Sequence, residues 1–507
     1  MKSLHAVIVH GMRRMRSLAA PGPGVLLLLS GNALLGAPLA LHPANPHYFL
    51  HHGRPQVLIT SGEHYGAVLN LDFNYVKYLD TLQSNKLNLT RTFSGAYYEP
   101  AGAFNIARNS LAPAADRFIC PWTKTKATGG AAARFDLTQW NPAYFIRLRD
   151  FVGQAERRGI IVEMNLFCPF YDEAQWRISP LNAKNNANGV GDIARTNVYT
   201  LDKNGGLLAI QEAMVRQIVT SLKDFDNVYY EICNEPYFGG VTLDWQRHIA
   251  DVIVETEKKL GRTHLISQNI ANDKAKVENP HPAVSIFNFH YATPPTTVSM
   301  NYGLGKVIGD NETGFKGTND FTYRREGWDF IMAGGALYNN LDYSFTVGHE
   351  DGTFAYPANQ PGGGSVALRR QLMHLQEFIH TFDFVKMKPA NGIIKGGVPA
   401  GATARVLAEP GRAYALYIQG GTQARGLLLD LPAGTYRVAW FNPRAGTEEM
   451  AQNIEHPNGV ATLTSPVYKD DIALKLVNLT PVKKTAVPPP APAKTGAAKP
   501  PKRPVLK

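Results

Sequence analysis

The chain has 507 residues, an ordinary globular composition and a 10% aromatic share, which is enough for one large domain and a smaller companion. Its net charge of +11 belongs to its two ends: residues 1–44 carry Lys2, Arg13, Arg14 and Arg16, residues 483–507 carry seven Lys or Arg, and neither stretch has an acid. The body between them is balanced at 41 basic and 41 acidic residues, which excludes electrostatic capture of nucleic acid as its task.

In chain order the first element is a leader. "MRRMRS" (12–17) is a basic segment and "VLLLLSGNALLGAPLA" (25–40) an apolar run ending in small residues. That is the layout of an export signal over residues 1–44, with cleavage near Ala37 or Ala40. The run is short for a membrane span and is interrupted by Gly31 and Asn32. A secreted or periplasmic protein, without a membrane span and monomeric, is the expectation. Cys120, Cys168 and Cys233 are too few for a disulfide framework, and their odd number leaves at least one thiol free. A Cys120–Cys168 bridge stays open, and Cys233 reads as a small buried hydrophobe. No metal-ligand spacing is present, His51 and His52 read as surface residues, and no cofactor is expected.

Eight strand-like apolar runs follow, at 56–65, 87–95, 159–167, 227–235, 264–270, 284–292, 306–314 and 336–345. Continuous rather than alternating hydrophobicity predicts strands buried on both faces, hence parallel. Helical stripes lie between or after them at 207–222, 244–261, 321–335 and 367–382. Strand–helix alternation over residues 45–388 predicts a (β/α)8 barrel. Two long βα connections, roughly 96–140 and 168–205, hold Tyr97, Tyr98, Phe104, Trp122, Trp140, Phe170, Tyr171 and Trp176. They belong to the face where barrels build active sites. There these aromatics either stack on sugar rings or pack the loops onto the barrel. Residues 389–480 read as short strands between Gly/Pro turns, a small antiparallel β-sandwich. Residues 481–507 are Pro, Ala and Lys-rich, a disordered tail without a core.

The chemistry lies at the strand ends. "YYEICNEPYF" (229–238) delivers Asn234 and Glu235 to the barrel mouth at the end of strand four, and "GDNETGF" delivers Glu312 at the end of strand seven. Desolvation there favours a protonated carboxyl on Glu235. Two carboxyls facing each other across a mouth are what glycoside cleavage requires, one as proton donor and one as nucleophile or base.

On these residues the chain resembles the retaining glycoside hydrolases of clan A, most nearly family 5, the cellulase-like enzymes. The resemblance implies Glu235 as acid/base, Glu312 as nucleophile and Asn234 as the partner of the sugar 2-hydroxyl. Arg91 in "LNLTRTF" matches the family's arginine that supports the nucleophile, and His290 and Tyr291 in "FNFHYA" resemble its strand-six His and Tyr. The segment "LDLPAGTYRVAWFNPRAG" looks like the collagen-binding-like accessory domain that follows some of these barrels. The chain also departs from the pattern. His290 and Tyr291 are adjacent, so in a regular strand they point to opposite faces. Asn165 stands where a His is common, and Asn339, Asn340 and Asp342 replace the strand-eight Trp. Glu63 and His64 after strand one either bind sugar or bond the rim, and Gln268 and Asn269 on strand five read as rim. The expected substrate side is thus Asn234, Arg91, His290, Tyr291, His64, Glu63, Asn165, Gln268 and Asp342. The implied activity is retaining hydrolysis of a β-linked poly- or oligosaccharide. The alternatives are a non-catalytic carbohydrate-binding or adhesion protein and a transglycosylase using the same residues.

Overall fold

Eight parallel strands surround one axis in the computed structural model, which describes residues 37–127 and 132–480. They are β1 (Leu58–Gly62), β2 (Leu89–Phe93), β3 (Ile161–Asn165), β4 (Val228–Glu231), β5 (Ile266–Asn272), β6 (Val284–His290), β7 (Val307–Thr313) and β8 (Leu337–Leu341). Each pairs in parallel with its neighbour, in the order β1-β8-β7-β6-β5-β4-β3-β2. The remaining seam, between β1 and β2, is stitched mainly by Asn88, with the Phe93 N–H donating to the Tyr65 carbonyl at 3.1 Å nearer the C-terminal end. The Asn88 backbone N–H donates to the Ile59 carbonyl at 3.2 Å, and its side chain accepts from Ile59 N at 2.9 Å and donates to the Val57 carbonyl at 2.9 Å. Every residue of β1, β2, β3, β7 and β8 is buried, which explains why their sequences lack the alternation of half-exposed strands, although Arg91, Glu163, Asp310, Asn311 and Glu312 are buried in them too.

Helices Tyr75–Ser84, Pro142–Glu156, Leu208–Leu222, Leu243–Leu260, Thr296–Asn301, Asp320–Met332 and Val366–His380 cover the outside. Two expectations need correction. β4 ends at Glu231, so Asn234 and Glu235 lie beyond the strand proper. No helix occupies residues 273–283 between β5 and β6, where an eleven-residue connection with two prolines is too short and too broken to form one. The long connections after β2 and β3 carry a small hairpin (Trp122–Lys124 with Phe135–Trp140) and the capped helix Glu173–Ile178.

Most of the expected leader and all of the expected tail fall outside the described residues. The packed body begins ahead of residue 45, however. Leu39 is buried and donates its N–H to the Asp226 carbonyl, and Ala40–Leu41 pairs with Phe49–His51. Among the described residues no helix is long and apolar enough to cross a membrane. Cys120, Cys168 and Cys233 are all free thiols and buried. His51, read as a surface residue, is also buried.

Beyond the last helix come a six-stranded and a three-stranded antiparallel sheet, with Val406, Leu416, Leu429, Val438, Trp440 and Leu474 among the side chains of the core they share. The sandwich packs on helices Asp320–Met332 and Val366–His380, and Leu407, Ala415, Tyr417 and Ala473 join the barrel's own core. Trp328 stacks on Tyr417 with ring centroids 5.4 Å apart. Arg324 clamps Asp471 with two bonds of 3.0 and 2.9 Å, and Gln371 and Tyr417 complete the cluster. Both charged side chains are almost fully buried. Removing one partner strands the other charge, which costs about 3–5 kcal/mol. Asp471→Ala therefore lowers the thermal midpoint by several degrees, and the double change Arg324→Met with Asp471→Leu recovers most of that loss. A drop of less than a degree in calorimetry of the single variant would contradict this account of the interface.

Candidate active site

A cavity of about 360 Å3 opens at the C-terminal ends of the strands. His64, Tyr65, Glu99, Tyr171, Asn234, Glu235, Tyr291 and Glu312 line its floor and walls, and Phe104, Phe238 and Phe315 stand at its mouth. Glu235 and Glu312 approach closely. One carboxylate oxygen of each and a ring nitrogen of His290 lie within 4.8 Å of one another. His290 Nδ1 stands between them, 3.2 Å from Glu235 Oε1 and 3.5 Å from Glu312 Oε1.

Backbone geometry explains how side chains from different strands converge. β1, β4 and β6 are each followed by a non-glycine residue with positive φ: Tyr65 (60°), Glu235 (37°) and Tyr291 (55°). A left-handed residue breaks the alternation of a strand and swings its side chain to the other side. Adjacent His290 and Tyr291 therefore both reach Glu312, contrary to the expectation that they diverge. Tyr291 is the first residue after β6, and its hydroxyl donates to Glu312 Oε1 at 2.7 Å. Tyr65 donates to Glu312 Oε2 at 2.8 Å, and Arg91 Nη1 reaches the same oxygen at 3.3 Å.

Glu235 has a different set of partners. Tyr171 donates to its Oε2 at 2.6 Å and Tyr237 to its Oε1 at 3.1 Å. Burial pushes its carboxyl up, but the bond and charge of His290, followed by Tyr171 and Tyr237, outweigh burial and leave it below the ordinary glutamate value. This corrects the expectation that desolvation would dominate and keep it protonated. Burial likewise opposes charge on His64, but Glu99 at 3.5 Å, with Glu312 and Glu63, lifts it above the ordinary histidine value.

Beneath the floor the barrel is polar. Arg91 Nε donates to Glu163 at 2.8 Å, and Nη2 donates to Glu231 at 2.6 Å and to Asn234 Oδ1 at 3.0 Å. Asn311 bonds both glutamates at 2.8 and 2.9 Å, Asn288 bonds Glu231 at 2.6 Å, and Tyr229 bonds Glu163 at 2.6 Å. Burial drives Glu163 upward despite Arg91 beside it. Gly309 on β7 faces the Asn288 amide so closely that a Cβ there would displace it.

Of the expected substrate-side residues, the structure brings Asn234, Tyr291 and His64 to the cavity and sets Arg91 and His290 directly beneath it. Four others lie elsewhere, each for a visible reason. Glu63 turns back to accept from Gly66 N and Ala67 N, both at 3.0 Å. Asn165 is buried in the barrel and donates to Glu231 at 3.0 Å. Gln268 faces outward and bonds Gln246 at 3.0 Å, which is the rim reading. Asp342 is paired with Arg369 at 2.5 Å and accepts from Ser61 at 3.0 Å. Among the loop aromatics Phe104 and Tyr171 line the cavity, whereas Tyr97, Trp122, Phe170 and Trp176 are packing residues. Sequence reasoning missed Tyr65, Glu99, Glu163, Glu231, Asn288 and Asn311. A signal was present for two of the three glutamates, since Glu163 and Glu231 each place an acid inside a strand-like run.

No protein-family model matches this chain, and no curated protein matches it. Solved structures do. A glycoside hydrolase family 5 structure from Bacteroides vulgatus ATCC 8482 aligns with a TM-score of 0.59 at 14% identity, over 87% of this chain and 93% of its own. A structure described as a glycoside hydrolase aligns with a TM-score of 0.58 at 14% identity, over 87% and 97%. A further structure from Bacteroides vulgatus ATCC 8482 covers 89% and 84% with a TM-score of 0.61 at 14% identity. The match spans barrel and sandwich together, so the chain shares the two-part fold of these structures.

Proposed function

We propose that this chain is a glycoside hydrolase that cleaves a β-linked poly- or oligosaccharide by double displacement, with Glu312 as nucleophile and Glu235 as acid/base. The observation that carries the reading is that one oxygen of each carboxylate lies within 4.8 Å of the other at the floor of an open cavity. So short an approach of nearest oxygens supports the retaining arrangement, with carboxyl groups about 5–5.5 Å apart, over the inverting one at about 6.5–9.5 Å. The fold shared with glycoside hydrolase structures supports the same class.

The partners divide the roles. Both oxygens of Glu312 are held by donors, buried Tyr65 and Arg91 on one and half-buried Tyr291 on the other. Such a carboxylate has a fixed direction of attack and a cation beside it, as a nucleophile needs. Glu235 is held partly by Tyr237, a half-exposed side chain whose hydroxyl also lies 2.5 Å from Asn272 Oδ1, so its one proton is shared between the two acceptors. A donor at the rim is free to exchange when a glycosidic oxygen arrives. In the first step Glu312 attacks the anomeric carbon while Glu235 gives its proton to the leaving oxygen. In the second step Glu235 takes a proton from water, which attacks the glycosyl–Glu312 ester and releases the sugar with its β configuration kept. The cavity-facing amide of Asn234, oriented by Arg91 and Tyr171, is the group for the 2-hydroxyl.

Phe104, Phe238 and Phe315 are all about 40% exposed at the mouth. They give the second reading, a transglycosylase with the same residues, in which a stacked sugar acceptor replaces water. The export signal read in residues 1–44 makes a secreted or periplasmic enzyme the matching location.

Glu312→Ala abolishes turnover of every glycoside. Glu235→Ala keeps the glycosylation of an activated aryl glycoside, accumulates the ester on Glu312, and regains turnover with azide as a β-glycosyl azide. NMR of the azide product decides the matter. An inverted azide from the Glu235 variant would exchange the two roles, and unchanged turnover in both variants would end the proposal.

The direction of the Glu235 shift makes a second prediction. A general acid below the ordinary value is protonated mainly at acid pH, so kcat/KM for an unactivated glycoside falls as pH rises towards neutrality. Tyr237→Phe removes one donor that lowers Glu235, so the alkaline limb of that profile moves to higher pH. A limb that moves to lower pH, or does not move, contradicts the assignment.

A further inference from the structure

On the opposite end of the barrel, two residues ahead of β4, Asp226 meets a histidine pair. His51 ends the strand Phe49–His51, and His52 and Gly53 form the turn into Arg54–Gln56. Neighbours on a strand point to opposite faces. Here His52 takes φ 49°, and its ring folds back onto His51 with centroids 3.9 Å apart and planes 22° apart. Both Nε2 atoms then converge on one carboxylate. His51 Nε2 lies 3.1 Å from Asp226 Oδ1, and His52 Nε2 lies 2.6 Å from Oδ2.

We propose that His51 Nε2, His52 Nε2 and an Asp226 carboxylate oxygen form a binding site for a divalent transition-metal ion of the zinc kind. Three considerations lead there. The chemistry of the donors is right, since two imidazole nitrogens and a carboxylate oxygen suit zinc and its neighbours rather than calcium or magnesium. The geometry is close. A tetrahedral site with bonds of about 2.0–2.1 Å has ligand–ligand edges of about 3.3–3.4 Å, and one donor atom from each of the three residues already lies within 4.8 Å of the others. The His51 and Asp226 side chains are buried and fixed, whereas that of His52 is 56% exposed, so a small swing of one ring accommodates the ion and leaves its fourth position to water. Finally, nearby Glu156 adds negative charge beside the site, partly offset by Arg157. Bound there, the ion ties the N-terminal hairpin to the loop that launches β4, and it stabilises the folded chain in proportion to its occupancy.

The test uses the full chain without a histidine tag, stripped with a chelator. Cobalt(II) titration followed by visible absorption, zinc calorimetry and thermal melting are run on wild type, His52→Ala and Asp226→Asn. The proposal expects one equivalent bound, an intense tetrahedral cobalt spectrum and a midpoint that climbs with zinc concentration. His52→Ala, at an exposed turn where folding is not at risk, loses the spectrum and weakens binding by more than about tenfold, since losing a direct ligand costs at least as much as losing a hydrogen-bond partner of a ligand, about 10–100-fold. Absence of zinc binding at millimolar concentration overturns the proposal. So does binding that survives His52→Ala unchanged, which places the ion elsewhere, for example between Glu235, His290 and Glu312.

Discussion

Arg91 is the constraint on which the site rests. Its guanidinium lies wholly inside the barrel, where interiors are ordinarily filled by branched apolar side chains. It contacts Glu163 on β3, Glu231 on β4, Asn234 beyond β4 and Glu312 on β7, and its plane covers the Tyr65 ring at 4.4 Å. Only a flat fork with five donors makes all these contacts at once, and a lysine offers a single point charge. One cation thereby fixes the orientation of a nucleophile candidate and of the amide beside the acid/base candidate. The arrangement is costly to build, because several charges leave water together. Asn288, Asn311, Asn165 and Tyr229 supply further bonds to the two glutamates, while Asn165 Oδ1, Asn288 Oδ1 and His290 Nε2 are left without a partner among the described residues.

The second device is local strain. Tyr65, Glu235 and Tyr291 each hold a left-handed backbone, which disfavours an L-residue by roughly 1–2 kcal/mol. All three sit just beyond barrel strands and all three touch the carboxylate pair or belong to it. Such conformations persist where the surrounding packing leaves no alternative. A straight continuation of β4 would send Glu235 in another direction, and a straight continuation of β6 would separate Tyr291 from Glu312.

This division explains what the sequence made readable. The eight strands, the sandwich and both candidate catalytic glutamates follow from hydrophobic runs and from polar residues at their ends, because burial on both faces leaves a mark in composition. The partners of those glutamates were harder to read. Glu163 and Glu231 show themselves as acids in the strand runs, but their tie to Arg91 depends on the register of neighbouring strands distant in sequence, which no local pattern contains. Tyr65 and Tyr291 reach Glu312 through a backbone sign that β-propensity does not encode. Asp342 and Glu63 look like mouth residues by position, yet Arg369 and two backbone N–H groups claim them. The direction of the Glu235 shift was misread for a related reason. Burial was visible in the strand, whereas His290 and Tyr171 arrive from other segments and Tyr237, two residues on, turns back to Glu235.

The shared core of barrel and sandwich has a consequence for how the chain is made. Helices Asp320–Met332 and Val366–His380 are complete once residue 380 has left the ribosome, but their outer faces are covered by strands that end at Asn478. Until then Trp328 and Phe378 lack Tyr417 and Phe441, and Arg324 lacks Asp471. At about 5–20 residues per second this interval lasts roughly 5–20 s. A nascent barrel thus spends seconds with an apolar, unpaired flank, a window in which chaperones meet a chain that is not yet sealed.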